Sequence, residues 1–505
     1  MKPQLPNYRE KQKLIYSDNS PKEVLIEKIK QTFDAAEADL VGRARAFYIE
    51  NKCADNSAGY RAADLLFEQE ADAVSIAASF LAPLLWQNLA SPDEIRDHFG
   101  PAVAATLENL PPPFTSHAGG RPYRHKEIQE ILDAIGGPPR KVLLFISFRL
   151  LALECATPPC SGAARNMAQE TLDLLVPIAN RLSLGDLRRR LEDACLRILD
   201  PAQYAFLKEH VAPIQAEDDK CLKILLDGVQ RLLDNNGIAG RVQGRTKSLY
   251  GIDRKMTRTG RSLQEIMDRV GLRVIVASVP ECYTVLGLLH AHFKPIPGTF
   301  DDYIGLPKDN GYQSLHTCVY PVREISHKPI EFQVRTELMH MEAEHGTAAH
   351  WRYKSEAEGA DRDRQRAQWM RGLRHQHAEA PSSEAFVELL HRQVFQDHLV
   401  VFGNGGRIVR LAEKATVRDY LTIANIGAPQ GAAVKVNGQT AALDHLLRDG
   451  DSIEVSAGTA PNGSLEKEAN KSDLPSTPGP AHPYGPDWCD AKLMRPTSQS
   501  KAKEN

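Results

Sequence analysis

A chain of 505 residues exceeds what one hydrophobic core usually supports, about 250–300 residues, so two to four domains are expected. A hydrophobic fraction of 42%, a charged fraction of 25% and a net charge of −3 are those of a soluble globular protein, with no overall bias toward nucleic acid or an anionic membrane. Eight cysteines stand without CxxC or Cys/His ligand spacing, which predicts a reducing, cytoplasmic compartment and no structural zinc.

The N-terminal MKPQLPNYREKQK lacks the apolar core of a signal peptide. Helical patterning begins with Pro21, placed after Ser20 at a first-turn position, where apolar residues recur at three- and four-residue steps. Further helices are expected over 71–90, 93–109, 125–135, 140–154 and 164–183. The run 73–92 is uncharged for 20 residues, long enough to raise a membrane span. Pro83, Gln87 and Asn88 within it favour a buried helix of a helical domain instead, so no membrane contact is expected. Residues 201–239 read as a helical linker.

From about 240 the pattern changes to alternating strand and helix. LRVIVAS (272–278), LHTCVY (315–320) and PIEFQVR (329–335) read as strands, and PECYTVLGLLHAHF (280–293) and ELMHMEAEHGTAAHW (337–351) as helices. That order predicts an α/β layer with a mixed sheet. A charged helical linker covers 357–396. In the β-rich stretch 397–456, HLVVFGNGGRIVRL reads as a hairpin and AVKVNGQTAALDHLLRDGDSIEV adds two strands. The tail, 457–505, is rich in Pro, Ser, Gly and Lys and is expected to be disordered.

Three stretches carry chemistry. FDDYIGLPKDNGYQSLHT (300–317) crowds Asp301, Asp302, Lys308, Asn310, Tyr312, Gln313 and His316 between Gly305, Pro307 and Gly311. Buried charges are rare unless paired, so this is no core strand throughout. It suits a loop that lays an aromatic ring, an amide and cations against a nucleotide, with Asn310-Gly311 making a tight turn that presents Tyr312. The same residues would also suit a solvated hairpin. Upstream, residues 241–261 hold seven Arg or Lys and one Asp. Such a local cluster suits a polyphosphate, or in isolation a solvated helix face. In IEFQVR, Glu331, Gln333 and Arg335 alternate onto one strand face, which is costly unless that face lines a site.

GRTKSLYGIDRKMTRTGR, NGYQSLHT, EFQVRT and HGTAAHWRYK, in that order, resemble the synthetase domain of the RelA–SpoT homologue family. The resemblance implies a nucleotidyltransferase-like sheet of about five strands over 240–356. It also implies transfer of the diphosphate of ATP to the 3′-hydroxyl of GDP or GTP, with Mg²⁺ as cofactor. On the ATP side it assigns Arg245 to adenine and Lys247, Arg254 and Lys255 to the phosphates. Asp268 and Glu331 become metal ligands and catalytic residues, Glu331 as general base for the hydroxyl. On the GDP/GTP side Tyr312 stacks on guanine, Asn310 lies beside the base, and Lys308 and His316 approach the phosphates. Gln333 and Arg335 share that side of the strand. Gly251 departs from the family's usual Ser, which removes a phosphate hydrogen bond. Thr299-Phe300-Asp301-Asp302 is the acidic variant of a segment that is basic in bifunctional members, and it favours GDP over GTP.

ETLDLLVPIANRLSLGDLRRRLEDACLRILDP (170–201) resembles the end of the family's N-terminal HD hydrolase domain. That hydrolase holds Mn²⁺ with His and Asp side chains, yet this chain has Pro83, Leu84, Leu85 and Trp86 at one ligand position and Phe148 at another. Apolar side chains do not coordinate a hard cation, so residues 20–200 read as a helical HD-like pseudo-hydrolase. VNGQ and RDGDSIEV resemble a TGS domain, a small β-grasp module. This admits a ribosome or tRNA as partner, but the run 419–431 lacks the family's histidines and weighs against it. The expected fold class is therefore multidomain, α plus α/β, and the expected activity (p)ppGpp synthesis without hydrolysis. Two alternatives stay open: a catalytically silent nucleotide-binding regulator acting through TGS, and an RNA-directed nucleotidyltransferase.

Overall fold

The structure, a computed structural model, describes residues 20–51, 57–113, 125–136, 139–156, 160–245, 247–260, 262–263, 271–322, 328–346, 356–395, 398–403, 407–412, 415–424, 426, 433–448 and 450–456. These residues form two compact units that part at Val387 and Glu388.

The first unit opens with α1 (Ser20–Thr32), α2 (Ala35–Glu50), α3 (Ala58–Glu68), α4 (Ala73–Trp86), α5 (Pro92–Phe99) and α6 (Pro101–Leu107). It continues with α7 (His125–Ile135), α8 (Pro139–Cys155) and α9 (Gly162–Glu170), which runs through a π turn (Thr171–Leu175) into α10 (Val176–Arg181). Local chemistry sets the starts. Asp34 with Glu37, and Ser91 with Glu94, form reciprocal capping boxes that satisfy otherwise orphaned amides. The uncharged run at 73–92 is the interior helix α4, buried from Ala73 to Leu84 apart from Val74. Pro83 is accommodated within it. No described helix is long and apolar enough to cross a membrane. The single helix expected over 93–109 is two, because Gly100 adopts φ +85°, a left-handed conformation that ends α5.

Next come α11 (Gly185–Leu199) and α12 (Pro201–Asn235), then β1 (Gly240–Arg245), α13 (Leu249–Thr259), β2 (Gly271–Val276) and α14 (Val279–His292). They are followed by β3 (Asp301–Asp302), β4 (Leu315–Val319), β5 (Ile330–Thr336), α15 (Glu337–His345), α16 (Glu356–Glu379) and α17 (Ser383–Phe395). The five strands form one sheet in the order β1-β2-β5-β4-β3. Only β2 and β5 run parallel; the other pairs are antiparallel, so the sheet is mixed as expected.

One face of this sheet is apolar: Leu272, Val274, Val276, Leu315, Ile330, Phe332 and Val334 pack against Leu225, Val229 and Leu232 of α12 and Cys282, Val285 and Leu289 of α14. The segment expected to serve as a linker thus carries part of the core under the sheet. With one face sealed by apolar contacts, the period-two alternation of the strands sends their polar side chains to the other face.

The second unit holds the hairpin β6 (His398–Gly403) and β7 (Arg407–Ala412), α18 (Val417–Ile423), β8 (Ala433–Val436), β9 (Gln439–Thr440) and β10 (Ile453–Ser456). The order β10-β8-β9 makes three strands where two were expected. Asn437 and Gly438, both at positive φ, turn β8 into β9. The core joins Val401, Leu411, Val417, Tyr420, Val434 and Ile453.

Candidate active site

Strand register places the site. In one row across the sheet Arg245 pairs with Gly271, Gly271 with Glu331, and Glu331 with Cys318; in the next, Gln243, Arg273, Gln333, His316 and Asp301 follow one another. Arg245 reaches across side-chain-less Gly271, and its Nη1 lies 3.0 Å from Glu331 Oε2. Gln333 Nε2 donates to Glu331 Oε1 at 3.1 Å, and His316 Nδ1 lies 3.5 Å from the same oxygen.

Burial pushes the Glu331 carboxyl up, but Arg245, His316, the Gln333 hydrogen bond and Lys247 outweigh it and hold the group below the usual carboxylate range. Burial pushes His316 down to about 4, with Arg245, Lys308 and Arg335 opposing the pull of Glu331. A neutral imidazole 2.8 Å from the Tyr312 hydroxyl accepts that proton at Nε2 and carries its own at Nδ1, toward Glu331. Tyr312, His316 and Glu331 therefore form a polar chain on the sheet.

The loop carrying Tyr312 closes as the Asn-Gly signal predicts. Gly311, at φ +79°, donates to the Lys308 carbonyl (2.7 Å), and Lys308 N donates to the Tyr312 carbonyl (3.1 Å). Tyr312 lies edge-on to His316 and Tyr303, under the Arg335 guanidinium at 5.9 Å. Lys308 sits over the Tyr303 ring at 4.5 Å. The Asn310 amide is engaged within the protein at both ends: Oδ1 accepts from Tyr312 N, and Nδ2 donates to the Asn180 carbonyl.

Arg335 is fully buried, its Nη2 shared between His340 Nδ1 (2.7 Å) and Glu344 Oε1 (3.0 Å). Its Nε and Nη1 meet no hydrogen-bond partner among the described residues. Glu344 also receives Arg189 (2.6 Å) and Arg273 (2.9 Å). Burial would raise its carboxyl, but the three guanidiniums hold it far below the ordinary range.

Past the end of β1, Lys247 is half-buried, while α13 carries exposed Arg254 and half-buried Lys255. Ser248 caps α13 by accepting from Gly251 N, and Asp193 of α11 accepts from Tyr250 N at 2.8 Å. Arg241 is committed elsewhere, in an ion pair with Glu337. Asp268, Arg261 and the motif residues 347–354 lie outside the described residues.

Sequence reasoning missed Glu344, Arg273 and Arg189. Arg273, a charge in an apolar strand, was a readable signal; Glu344 in its charged helix was not. In the helical domain, two residues singled out in the sequence meet: Trp86 packs edge-to-face on Phe148 at 4.8 Å and donates from Nε1 to the Leu110 carbonyl.

Residues 244–358 match the family described as the region found in RelA / SpoT proteins, and residues 54–185 match an HD domain. The chain is 33% identical over 401 residues to a probable guanosine-3′,5′-bis(diphosphate) 3′-pyrophosphohydrolase of Synechocystis, covering 78% of this chain and 52% of that protein. It is 30% identical over 399 residues to the GTP pyrophosphokinase of Myxococcus xanthus, with the same coverage of 78% and 52%. The chain thus spans about half the length of the curated relatives it matches. Among solved structures, small alarmone synthetase 1 from Bacillus subtilis bound to its product pppGpp is 25% identical, covering 34% of this chain and 96% of that one, with a TM-score of 0.25.

Proposed function

Because the chain belongs to the RelA–SpoT family, we propose that it transfers the β,γ-diphosphate of ATP to the 3′-hydroxyl of GDP or GTP, releases AMP, and does not hydrolyse the product. The observation that carries this reading is the position of Glu331. One carboxylate stands between a donor-side cation, Arg245, and an acceptor-side chain, His316 and Tyr312.

In this reading Arg245 leaves Glu331 to stack on adenine, and Lys247 and Lys255 meet the polyphosphate. Tyr312 takes the guanine face. Loss of the Arg245 pair raises the proton affinity of Glu331, which suits a general base better than the ion-paired state does. The 3′-hydroxyl proton passes to a Glu331 oxygen as the hydroxyl oxygen bonds the β-phosphorus, and the α,β-bridging oxygen departs with AMP. Glu331 offers a hard carboxylate oxygen, a donor type that fits Mg²⁺ once Arg245 has left it. Glu331 and Asp268 would hold the ion, which when bound offsets polyphosphate charge.

The absence of hydrolysis is supported by the apolar side chains at the expected ligand positions, Leu84, Leu85 and Trp86 around one and Phe148 at another, with Trp86 packed on Phe148. The β6–β10 unit supports the TGS reading, and the scattered cysteines without CxxC spacing support cytoplasmic residence. Incubation with labelled ATP and either GDP or GTP, without ribosomes, tests the proposal. Guanosine 3′-diphosphate product and AMP in equal amounts are expected, and no product with either acceptor would overturn it.

A further inference from the structure

We propose that the helical domain is retained because it grips the acceptor-nucleotide loop, with Arg181 and Ser183 as positioning residues. The proposal rests on reading Tyr312 as the acceptor-base platform. Three hydrogen bonds cross from the end of α10 to the loop tip. The Arg181 guanidinium donates to the Asp309 carbonyl. Ser183 Oγ donates to the Asn310 carbonyl at 2.7 Å, and Asn310 Nδ2 donates back to the Asn180 carbonyl at 3.2 Å. The same Asn310 side chain accepts from Tyr312 N at 3.1 Å, so the grip reaches the residue that presents the ring through one amide.

The gripping turn is itself fixed. Ser183 sits at φ +58°, with Ser183 N donating to Asn180 O and Leu184 N to Ala179 O. Its backbone lies so close to α15 that a Cβ on Gly346 would fall 2.1 Å from the Leu182 carbonyl, and one on Gly185 2.4 Å from that of Ala343. Four residues past Gly185, Arg189 binds Glu344, which also holds Arg273 and Arg335 of the sheet. Arg181 further faces the Trp369 ring of α16 at 5.7 Å. The loop is thus held from a support already locked to the catalytic sheet. These polar contacts give a use to a domain whose expected metal positions carry apolar side chains, Phe148 at one and Leu84, Leu85 and Trp86 around another.

The test uses the full chain with Arg181→Ala, Ser183→Ala and the double substitution, measuring GDP and ATP affinity by titration, steady-state kinetics, and amide exchange at Lys308, Gly311 and Tyr312. Losing two hydrogen bonds should weaken GDP by about 5- to 50-fold in the double variant, with ATP affinity and kcat at saturating GDP within about threefold. The three loop amides should exchange faster, and Arg181→Lys should recover part of the GDP affinity. Unchanged loop exchange, unchanged GDP affinity, or an equal loss for ATP would each overturn the proposal. If the unaltered protein failed to bind GDP, the functional reading would fall, while loop exchange would still decide whether the helical domain holds the loop.

Discussion

Arg245 and Glu331 meet at 3.0 Å although their strands are not neighbours: β2 lies between β1 and β5, and the residue it sets between them is Gly271. A side chain there would stand in the path of the guanidinium. A Cβ on Gly271 would lie 3.6 Å from Arg245 Cβ, an ordinary contact, so Gly271→Ala should fold and keep most activity. Gly271→Leu should displace Arg245 and lower kcat/KM for ATP by about tenfold or more, since misplacing a reacting group by about 1 Å can cost a hundredfold. Wild-type ATP kinetics in the leucine variant would show that the pair is incidental.

Glu331→Gln keeps the shape of the side chain and the Gln333 neighbour but removes the base. A positioned base contributes about 10²–10⁴-fold, so kcat should fall by that order while GDP binding survives. Near-normal turnover would move the proton acceptor elsewhere.

Much of this site was legible because strand alternation is a local rule. Glu331, Gln333 and Arg335 do share one face, and Asn310-Gly311 does turn the loop that presents Tyr312. What the chain hid depends on distant partners. Glu344 gathers arginines from α11, β2 and β5, a convergence that no window of sequence contains. β1 reads GRVQGR, with one apolar residue, and becomes a strand only because β2 offers it an edge. The end of α12 read as linker since helical periodicity does not tell which apolar face it will cover.

Removing the Tyr312 ring should chiefly weaken the acceptor. Base–aromatic stacking is worth about 1–3 kcal/mol, so Tyr312→Ala should raise the GDP Kd by roughly 5- to 150-fold. A rise confined to ATP would mean that the two sides of the site are exchanged.

Acid should destabilise the fold in a defined window. His316 has a folded pKa of about 4 against an ordinary 6.5. Between those values the unfolded chain binds a proton that the folded one does not, so stability falls as pH drops from 6.5 to 4. The depressed Glu344 carboxyl adds stability above 4.5 that is lost below it. His316→Gln should flatten the slope of stability against pH between 6.5 and 4. An unchanged slope by chemical denaturation would place the titration elsewhere.

The proposed absence of hydrolysis in the helical domain can be tested directly. Hydrolysis of a 3′-diphosphate needs a metal to activate water and neutralise phosphate charge, and the metal needs several oxygen or nitrogen ligands at fixed positions. Phe148→Asp supplies one such group at an expected ligand position, but into a poor setting. Phe148 is 4% exposed, against Trp86, on a helix whose Leu144, Phe145 and Leu151 are also buried. A lone carboxylate there would face the Trp86 ring and apolar neighbours rather than further oxygen or nitrogen ligands, so it should not hold the ion. It should destabilise the domain instead. Deleting a buried phenylalanine alone costs about 3–5 kcal/mol, and an unpaired buried carboxyl adds to that or titrates to neutrality. Thermal denaturation should therefore show a clear loss of stability that Mn²⁺ does not restore. Mn²⁺-dependent release of diphosphate from (p)ppGpp, by the variant or by the unaltered chain, would mean that the ligand positions lie elsewhere in the helices.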